Sequence, residues 1–225
     1  MNHQTYEIKS LNIGRVETLT YGKRTFESAI RKQSVTEAIY LSKTGLSDDE
    51  HAYEHHGGED KALCLYPYDH YPYWRDIVHH FSETALFGEN ITVEGLTEEN
   101  ACIGDTFTFG EAIIQVSEPR NPCYKLAAKY EVPDMVVRMR DTGYTGFLFR
   151  VLKEGYVKPG EPLVLLERDP GKVSVALIND VKFFDRYNKE KLEKVLSVRA
   201  LSESFRNSFL KQYESYTVNG LHEND

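Results

Sequence analysis

The sequence predicts a mostly-β (α+β) fold: a sandwich or closed barrel with peripheral helices and a small helical extension at its end. Two observations carry this. Up to about residue 177, short apolar stretches alternate with turn signals at the spacing of an all-β body. After Ile178 the apolar residues fall at helical spacing instead. The expected division is therefore 1–177 for the β body and 178–225 for the helical extension.

The candidate strands are 6–13, 26–32, 36–43, 62–66, 90–93, 106–109, 111–118, 147–153 and 163–167. Turn signals such as Tyr21-Gly22, Thr44-Gly45, Phe109-Gly110, Lys158-Pro159-Gly160 and Asp169-Pro170-Gly171 separate them. Helical pieces are expected at 68–80, starting near Asp69, at 123–130 and at about 134–140. In the extension, Leu192, Val195 and Leu196 share one helical face. Phe205, Phe209, Leu210 and Tyr213 share another, behind Ser202 as a helix N-cap. The aromatic run Tyr66 to Trp74 reads as core and surface packing of a helix, or as a stacking surface.

The 225 residues suffice for one large domain, or one domain with an appendage. No apolar run approaches membrane-span length and no signal-peptide pattern opens the chain, so no membrane partner is expected. Three cysteines without a C-x-x-C pair argue against a disulfide framework and a structural zinc site, and for a reducing cytoplasm. A net charge of −8 argues against nucleic-acid binding. The charge is uneven. Between 181 and 212, eight basic residues face four acidic ones, a net of +4.

The most informative stretch is Pro119-Arg120-Asn121-Pro122-Cys123-Tyr124-Lys125. Asn121 reads as a helix N-cap and Pro122 as the first helical residue, which would place Cys123 in the first turn. Unpaired N–H groups there, with Arg120 and Lys125, favour thiolate over thiol. Such a thiolate is a nucleophile or a ligand for a soft metal. The alternative is a small buried hydrophobe. Cys64 and Cys102, in apolar runs, read as core.

Other constellations are less specific. In His55-His56-Gly57-Gly58-Glu59-Asp60-Lys61, two glycines beside a histidine and a lysine suit an anion. A zinc site from His51, His55, His56 and His70 and a solvated glycine turn are the competing readings. Asn90, in Gly88-Glu89-Asn90-Ile91-Thr92, offers a donor and an acceptor to a heterocycle edge, or is part of a turn. Arg150, inside an apolar strand, is an edge charge or an inward phosphate ligand.

In this order, these motifs resemble the MOSC domain, named after the C-terminal domain of molybdenum cofactor sulfurases, and its YiiM-type members most closely. The carriers are Ile30 to Val35, His55 to Ala62, Phe87 to Leu96, Ile103-Gly104-Asp105, Pro119 to Cys123 and Thr145-Gly146-Phe147. The likeness spans residue 8 to about 170, and the basic tail resembles the three-helix extension of YiiM-type members. One departure is Ser47-Asp48-Asp49, where the family pattern has a Gly-Asp pair.

The resemblance implies a β-barrel and a molybdenum cofactor, a pterin dithiolene with a phosphate whose metal is bound by a protein cysteine. Cys123 matches that cysteine. Lys32, His56, Gly57, Gly58, Asn90, Thr92 and Arg120 match the family's polar positions. Lys61, in the motif of the two glycines, and Arg150, in the strand that follows Phe147, complete the candidate cofactor-binding set. The implied activity is reduction of small N-hydroxylated compounds, such as N-hydroxylated purines or amidoximes, with electrons from a separate flavoprotein. The alternative is a non-catalytic module that carries or delivers the cofactor. The pyridoxal-phosphate domain of the sulfurases has no counterpart in this chain, so that cofactor is not expected.

Flavodoxin-type donors are usually acidic, so the basic tail suits docking of one; the alternative is a helical cap with a solvated basic face. Reversing Lys189, Lys191 and Lys194 to Glu is expected to slow donor-driven turnover. Added salt is expected to slow the wild type, because exposed charges are screened beyond about 10 Å at 0.1 M. Stopped-flow reduction checks this, with turnover by a small chemical reductant unchanged.

Overall fold

The computed structural model describes residues 4–53 and 57–220, with side chains as far as 215. Its strands are β1 (Thr5–Tyr6), β2 (Ile8–Ile13), β3 (Glu17–Tyr21), β4 (Arg24–Ser28), β5 (Gln33–Ser34), β6 (Ile39–Ser42), β7 (Gly45–Leu46), β8 (Leu63–Pro67), β9 (Ile91–Val93), β10 (Thr106–Phe109), β11 (Ala112–Pro119), β12 (Phe147–Lys153), β13 (Gly155–Val157) and β14 (Leu163–Glu167). The helices are α1 (Tyr71–Trp74), α2 (Tyr124–Tyr130), α3 (Met135–Thr142), α4 (Val175–Phe183), α5 (Lys189–Ser197) and α6 (Glu203–Gly220).

Nine strands form one sheet in the order β1-β14-β10-β11-β12-β8-β9-β2-β5. Its ladders are antiparallel except β8 with β9. Only Glu7 separates β1 from β2. Thr5 pairs with Val164 at one end of the sheet, and Ile8 pairs with Val93 near the other. One nearly continuous strand thus bridges the two ends, and the sheet returns on itself as the expected barrel. Its interior is filled by Phe107, Phe109, Phe147 and Phe149, all without exposure.

The same apolar cluster continues into Ile178 and Val181 of α4, Leu192 and Val195 of α5, and Phe205 and Phe209 of α6. The extension therefore shares the barrel's core. The expected boundary at 177/178 falls inside α4, whose N-cap is Ser174: its Oγ accepts the Leu177 N–H at 3.1 Å. Ser202 likewise accepts the Phe205 N–H at 3.3 Å, the expected cap. Lys191 is structural: Nζ binds Asp180 at 2.6 Å and Asp185 at 2.8 Å. Reversing Lys189 and Lys194 alone tests the basic face without breaking that bridge.

Several expectations shift. The strand expected at 26–32 is β4, which forms a hairpin with the unanticipated β3. It stops at Ser28 because the following residues turn into a cavity wall. The helix expected at 68–80 shortens to a 3₁₀ turn, Tyr68–His70, and α1. Asp69 does not cap it; its carboxylate accepts the Gly95 N–H at 2.8 Å. Burial decides this segment: Tyr66, Tyr71 and Trp74 enter a second cluster with Phe87, Leu126 and Met139, and Trp74 Nε1 donates to Tyr66 Oη at 2.7 Å. The aromatic run packs as core at Tyr66, Tyr71 and Trp74, with Tyr68 partly buried and Tyr73 at the surface, 42% exposed.

Arg150 also departs from its expected role. It clamps the extension to the barrel: Nε donates to Asp60 Oδ1 at 2.8 Å, and Nη1 to Gln115 Oε1 at 2.9 Å and the Ala200 carbonyl at 2.6 Å. These acceptors occupy the guanidinium, so it is not free to hold a phosphate. Arg150→Ala is expected to lower stability by about 1.5–3 kcal/mol, the range for lost charge-assisted hydrogen bonds. Urea unfolding measures this, and metal content after expression in a cofactor-competent host is expected to stay at the wild-type level.

Candidate functional site

The ends of β4, β8 and β11 and the loops between them enclose a cavity of about 160 Å³. Cys123, Lys32, Lys61, Asn90 and Arg120, five of the residues singled out from sequence, line it. So do Cys64, Glu118 and Lys125.

Backbone geometry brings the cysteine here, though not as expected. The Arg120 N–H donates to the Gly146 carbonyl at 3.0 Å, so the β11–β12 ladder persists past Pro119. Asn121 and Pro122 are bridging residues, and Cys123 is itself the N-cap of α2, with an extended backbone and a side chain that caps nothing. The Cys123 carbonyl accepts the Leu126 N–H, leaving the thiol free to face the cavity. Gly146 is required: its φ is +72°, and a Cβ there would lie 2.5 Å from the Leu65 carbonyl oxygen.

Arg120 is the electrostatic centre of the wall. Nη2 donates to the Phe87 carbonyl at 2.7 Å, while Nη1 is buried without a partner. Burial works against its charge, but Cys64, Cys123 and Glu89 around it raise its pKa, so it stays a cation. Gly88 allows this approach: at φ +71°, a Cβ would meet the Ile30 carbonyl oxygen at 2.7 Å. Burial pushes the Cys64 thiol pKa up. Cys64 is nonetheless only half-buried and lines the cavity, so it belongs to the cavity wall and not, as expected, to the apolar core. The core reading holds for Cys102, which is 6% exposed.

The other cations are already engaged. Lys32 Nζ forms a buried ion pair with Asp49 Oδ1. Lys125 Nζ donates to the Glu27 carbonyl at 2.8 Å. Lys61 Nζ lies 3.8 Å from Glu118, whose other oxygen accepts from Ser204 at 3.0 Å. Asn90 does not present a free edge. Its Oδ1 accepts the Cys64 N–H at 3.0 Å, its Nδ2 donates to Asp49 Oδ2 at 2.7 Å, and its N–H donates to the Cys64 carbonyl at 2.8 Å. Asn90 thus holds the Cys64 strand and Asp49 in place.

Thr92 lies behind the wall, unexposed, bonding to Ser10 at 3.0 Å and Glu89 at 2.8 Å. Burial leaves it no cavity face, so it supports the site from outside. Gly57 and Gly58 flank the cavity without lining it; Gly58 opens a 3₁₀ turn that carries Lys61. His55 and His56 lie outside the described residues. His51 lines this cavity, whereas His70 lines a different one and pairs with Glu98. Among the described residues, no group of three or more His, Cys, Asp or Glu is gathered to hold a metal ion.

Asp49 was not picked out by sequence reasoning, although the Ser47-Asp48-Asp49 departure marked the spot. Asp48 adopts φ +63°, the turn a glycine would make more easily. Cys64 had a readable signal: Leu63 and Leu65 point inward at period two, so Cys64 must face the other way.

Asp49→Asn is expected to cost about 3–5 kcal/mol in denaturant unfolding, because it leaves the buried Lys32 ammonium without its counter-charge. The double variant Asp49→Asn/Lys32→Met is expected to recover part of that loss, since no unpaired charge remains.

The MOSC domain matches residues 52–164, and the YiiM-like 3-alpha helix domain matches residues 173–215. The uncharacterized protein YflK of Bacillus subtilis is 46% identical over 213 residues, covering 94% of this chain and 96% of its own. A protein named "Reductase" from Gibberella moniliformis is 39% identical over 162 residues, 68% of this chain but 28% of that longer protein. The crystal structure of YiiM from Geobacillus stearothermophilus superposes with a TM-score of 0.79 at 39% identity, covering 92% of this chain and 99% of that one. Residue by residue and in three dimensions, the chain belongs to the MOSC domain family, with a YiiM-like three-helix extension.

Proposed function

We propose that this chain is a molybdenum-cofactor-dependent oxidoreductase that reduces small N-hydroxylated compounds, such as N-hydroxylated purines or amidoximes, with electrons from a separate flavoprotein. One observation carries the reading. An uncapped thiol, Cys123, shares a cavity with Arg120, whose buried Nη1 lacks an acceptor. A soft metal with an anionic organic ligand fits that donor set: thiolate sulfur for the metal, guanidinium for a phosphate or pterin oxygen. MOSC membership and the reductase-named relative support the same class.

When bound, the cofactor supplies two-electron chemistry at molybdenum. The chain's own residues do the rest. Cys123 would ligate the metal. Arg120, kept charged by its surroundings, would pair with the phosphate. Lys125, held by the Glu27 carbonyl, adds positive potential without swinging into the cavity, while Lys32 is neutralised by Asp49 and fixes the wall. Lys61 and Glu118 form the wall braced by Ser204 of the extension. The donor would dock on the basic tail, and the reaction would run in the cytoplasm.

Cys123→Ser, purified from a cofactor-competent host, is expected to lose molybdenum by elemental analysis while unfolding like the wild type. Serine is a harder and far less acidic ligand. Arg120→Ala is expected to weaken cofactor retention by about 1.5–3 kcal/mol, the range for a lost charged hydrogen bond. Wild-type molybdenum content in Cys123→Ser would refute the ligand assignment. Retained cofactor without turnover of an N-hydroxylated purine, with a chemical reductant supplied, would favour a cofactor carrier.

A further inference from the structure

A second cavity, of about 180 Å³, lies where α4 meets the barrel. It stands apart from the first and does not depend on the cofactor reading. Its lining includes four carboxylates, Glu98, Glu99, Asp141 and Asp180, and no lysine or arginine.

The floor is built. Asn179 is 2% exposed. Its Nδ2 donates to Thr145 Oγ1 at 2.8 Å and to the Gly143 carbonyl at 3.4 Å, which fixes the amide's orientation. Its Oδ1, buried, has no donor. Glu98 is locked beside it: Oε2 pairs with His70 Nε2 at 2.6 Å and Oε1 accepts the Gly146 N–H at 2.6 Å. His70 stacks on Tyr144 with ring centroids 3.7 Å apart, giving one aromatic wall. Phe184, 57% exposed, stands at the rim. Lys191 holds Asp180 through Oδ2, so Glu99 and Asp141, both exposed, set the charge at the mouth.

A buried acceptor without a donor, under a ring of carboxylates and beside aromatic carbon, calls for a cationic donor with an apolar body. A hard metal ion fits poorly, because both Glu98 oxygens are occupied and no ligand cluster of three is assembled. We propose that this cavity binds a small primary alkylammonium ion, with an N–H donated to Asn179 Oδ1, the alkyl chain against Tyr144 and Phe184, and the charge balanced by Glu99 and Asp141.

The test is an NMR titration of the full chain at pH 8, where an ordinary histidine is neutral. The probe is n-butylammonium chloride, with sodium chloride at equal ionic strength and n-butanol as controls. Saturable shifts of the Asn179 side-chain amide and the Gly143 N–H are expected with butylammonium only. Asn179→Leu is expected to weaken binding roughly tenfold or more, the effect of losing a charged hydrogen bond. Because Asn179 also holds Thr145, a second variant guards against misfolding. Glu99→Gln/Asp141→Asn, confined to exposed side chains, is expected to weaken binding roughly threefold, the scale of exposed charge effects. Shifts reproduced by sodium chloride or butanol, no saturation, or undiminished affinity in the double variant would each overturn the proposal.

Discussion

Everything around the first cavity depends on one buried carboxylate. Asp49 accepts from Lys32, from the Gly14 N–H at 2.7 Å and from Asn90 Nδ2 at 2.7 Å. These donors come from three segments far apart in sequence. Asn90 passes the constraint on, because its side chain and backbone together bracket Cys64 at the start of β8. A buried ion pair contributes little net stability when both charges must be desolvated, but it tolerates few alternative arrangements. Here it acts as a register pin. It holds the Lys32 segment, the β2 end and the strand opening at Asn90 to one point.

That pin occupies one of the charges in the cavity, and other partners occupy two more. Four cationic side chains line it, yet three spend donors on protein acceptors. Arg120 keeps a buried amino group, Nη1, that finds no acceptor among the described residues. Its other amino group is tied to the Phe87 carbonyl, on the loop that Gly88 brings close to Ile30. The cavity therefore combines two ion-paired lysines and one carbonyl-bound lysine with a single directional donor, and that donor lies beside two thiols. Electrostatic preorganisation of this kind avoids the reorganisation that mobile side chains would require.

Much of the barrel was legible in the chain. Strands 106–109, 147–153 and 163–167 were read with the observed bounds, because unambiguous turn chemistry flanks them and each sends apolar side chains into the core: Phe107 and Phe109, Phe147 and Phe149, and Leu163. The β3–β4 hairpin escaped because Leu19 is the only β3 residue that buries fully, leaving almost no alternation to read. The 68–80 stretch misled because its aromatic spacing matches a helix, while tertiary packing captures Tyr66, Tyr71 and Trp74 and ends the helix at Trp74. In the site, Cys123, Arg120 and Lys61 were readable as residue types. What Asn90 and Arg150 do was not. Asn90 answers to Asp49, and Arg150 to Asp60 and the Ala200 carbonyl, contacts between residues distant in the chain. A polar residue in an apolar strand announces that it has a partner, but not which one.

The bridging strand at the start of the chain has a consequence for how the molecule is made. Thr5 and Tyr6 meet Val164 and Leu163, so the ring can be completed only after the polypeptide has been synthesised past β14. Until then β2 can pair with β9, but the edge reserved for β14 stays open. During vectorial synthesis that unpaired edge is exposed while roughly seventy further residues are added, a delay of several seconds at ribosomal rates of about 5–20 residues per second. Closure then brings together segments separated by most of the sequence, an entropically costly and slow step. The nascent barrel therefore passes through a window in which its first strand is the part most open to chaperone capture or to mispairing with another chain.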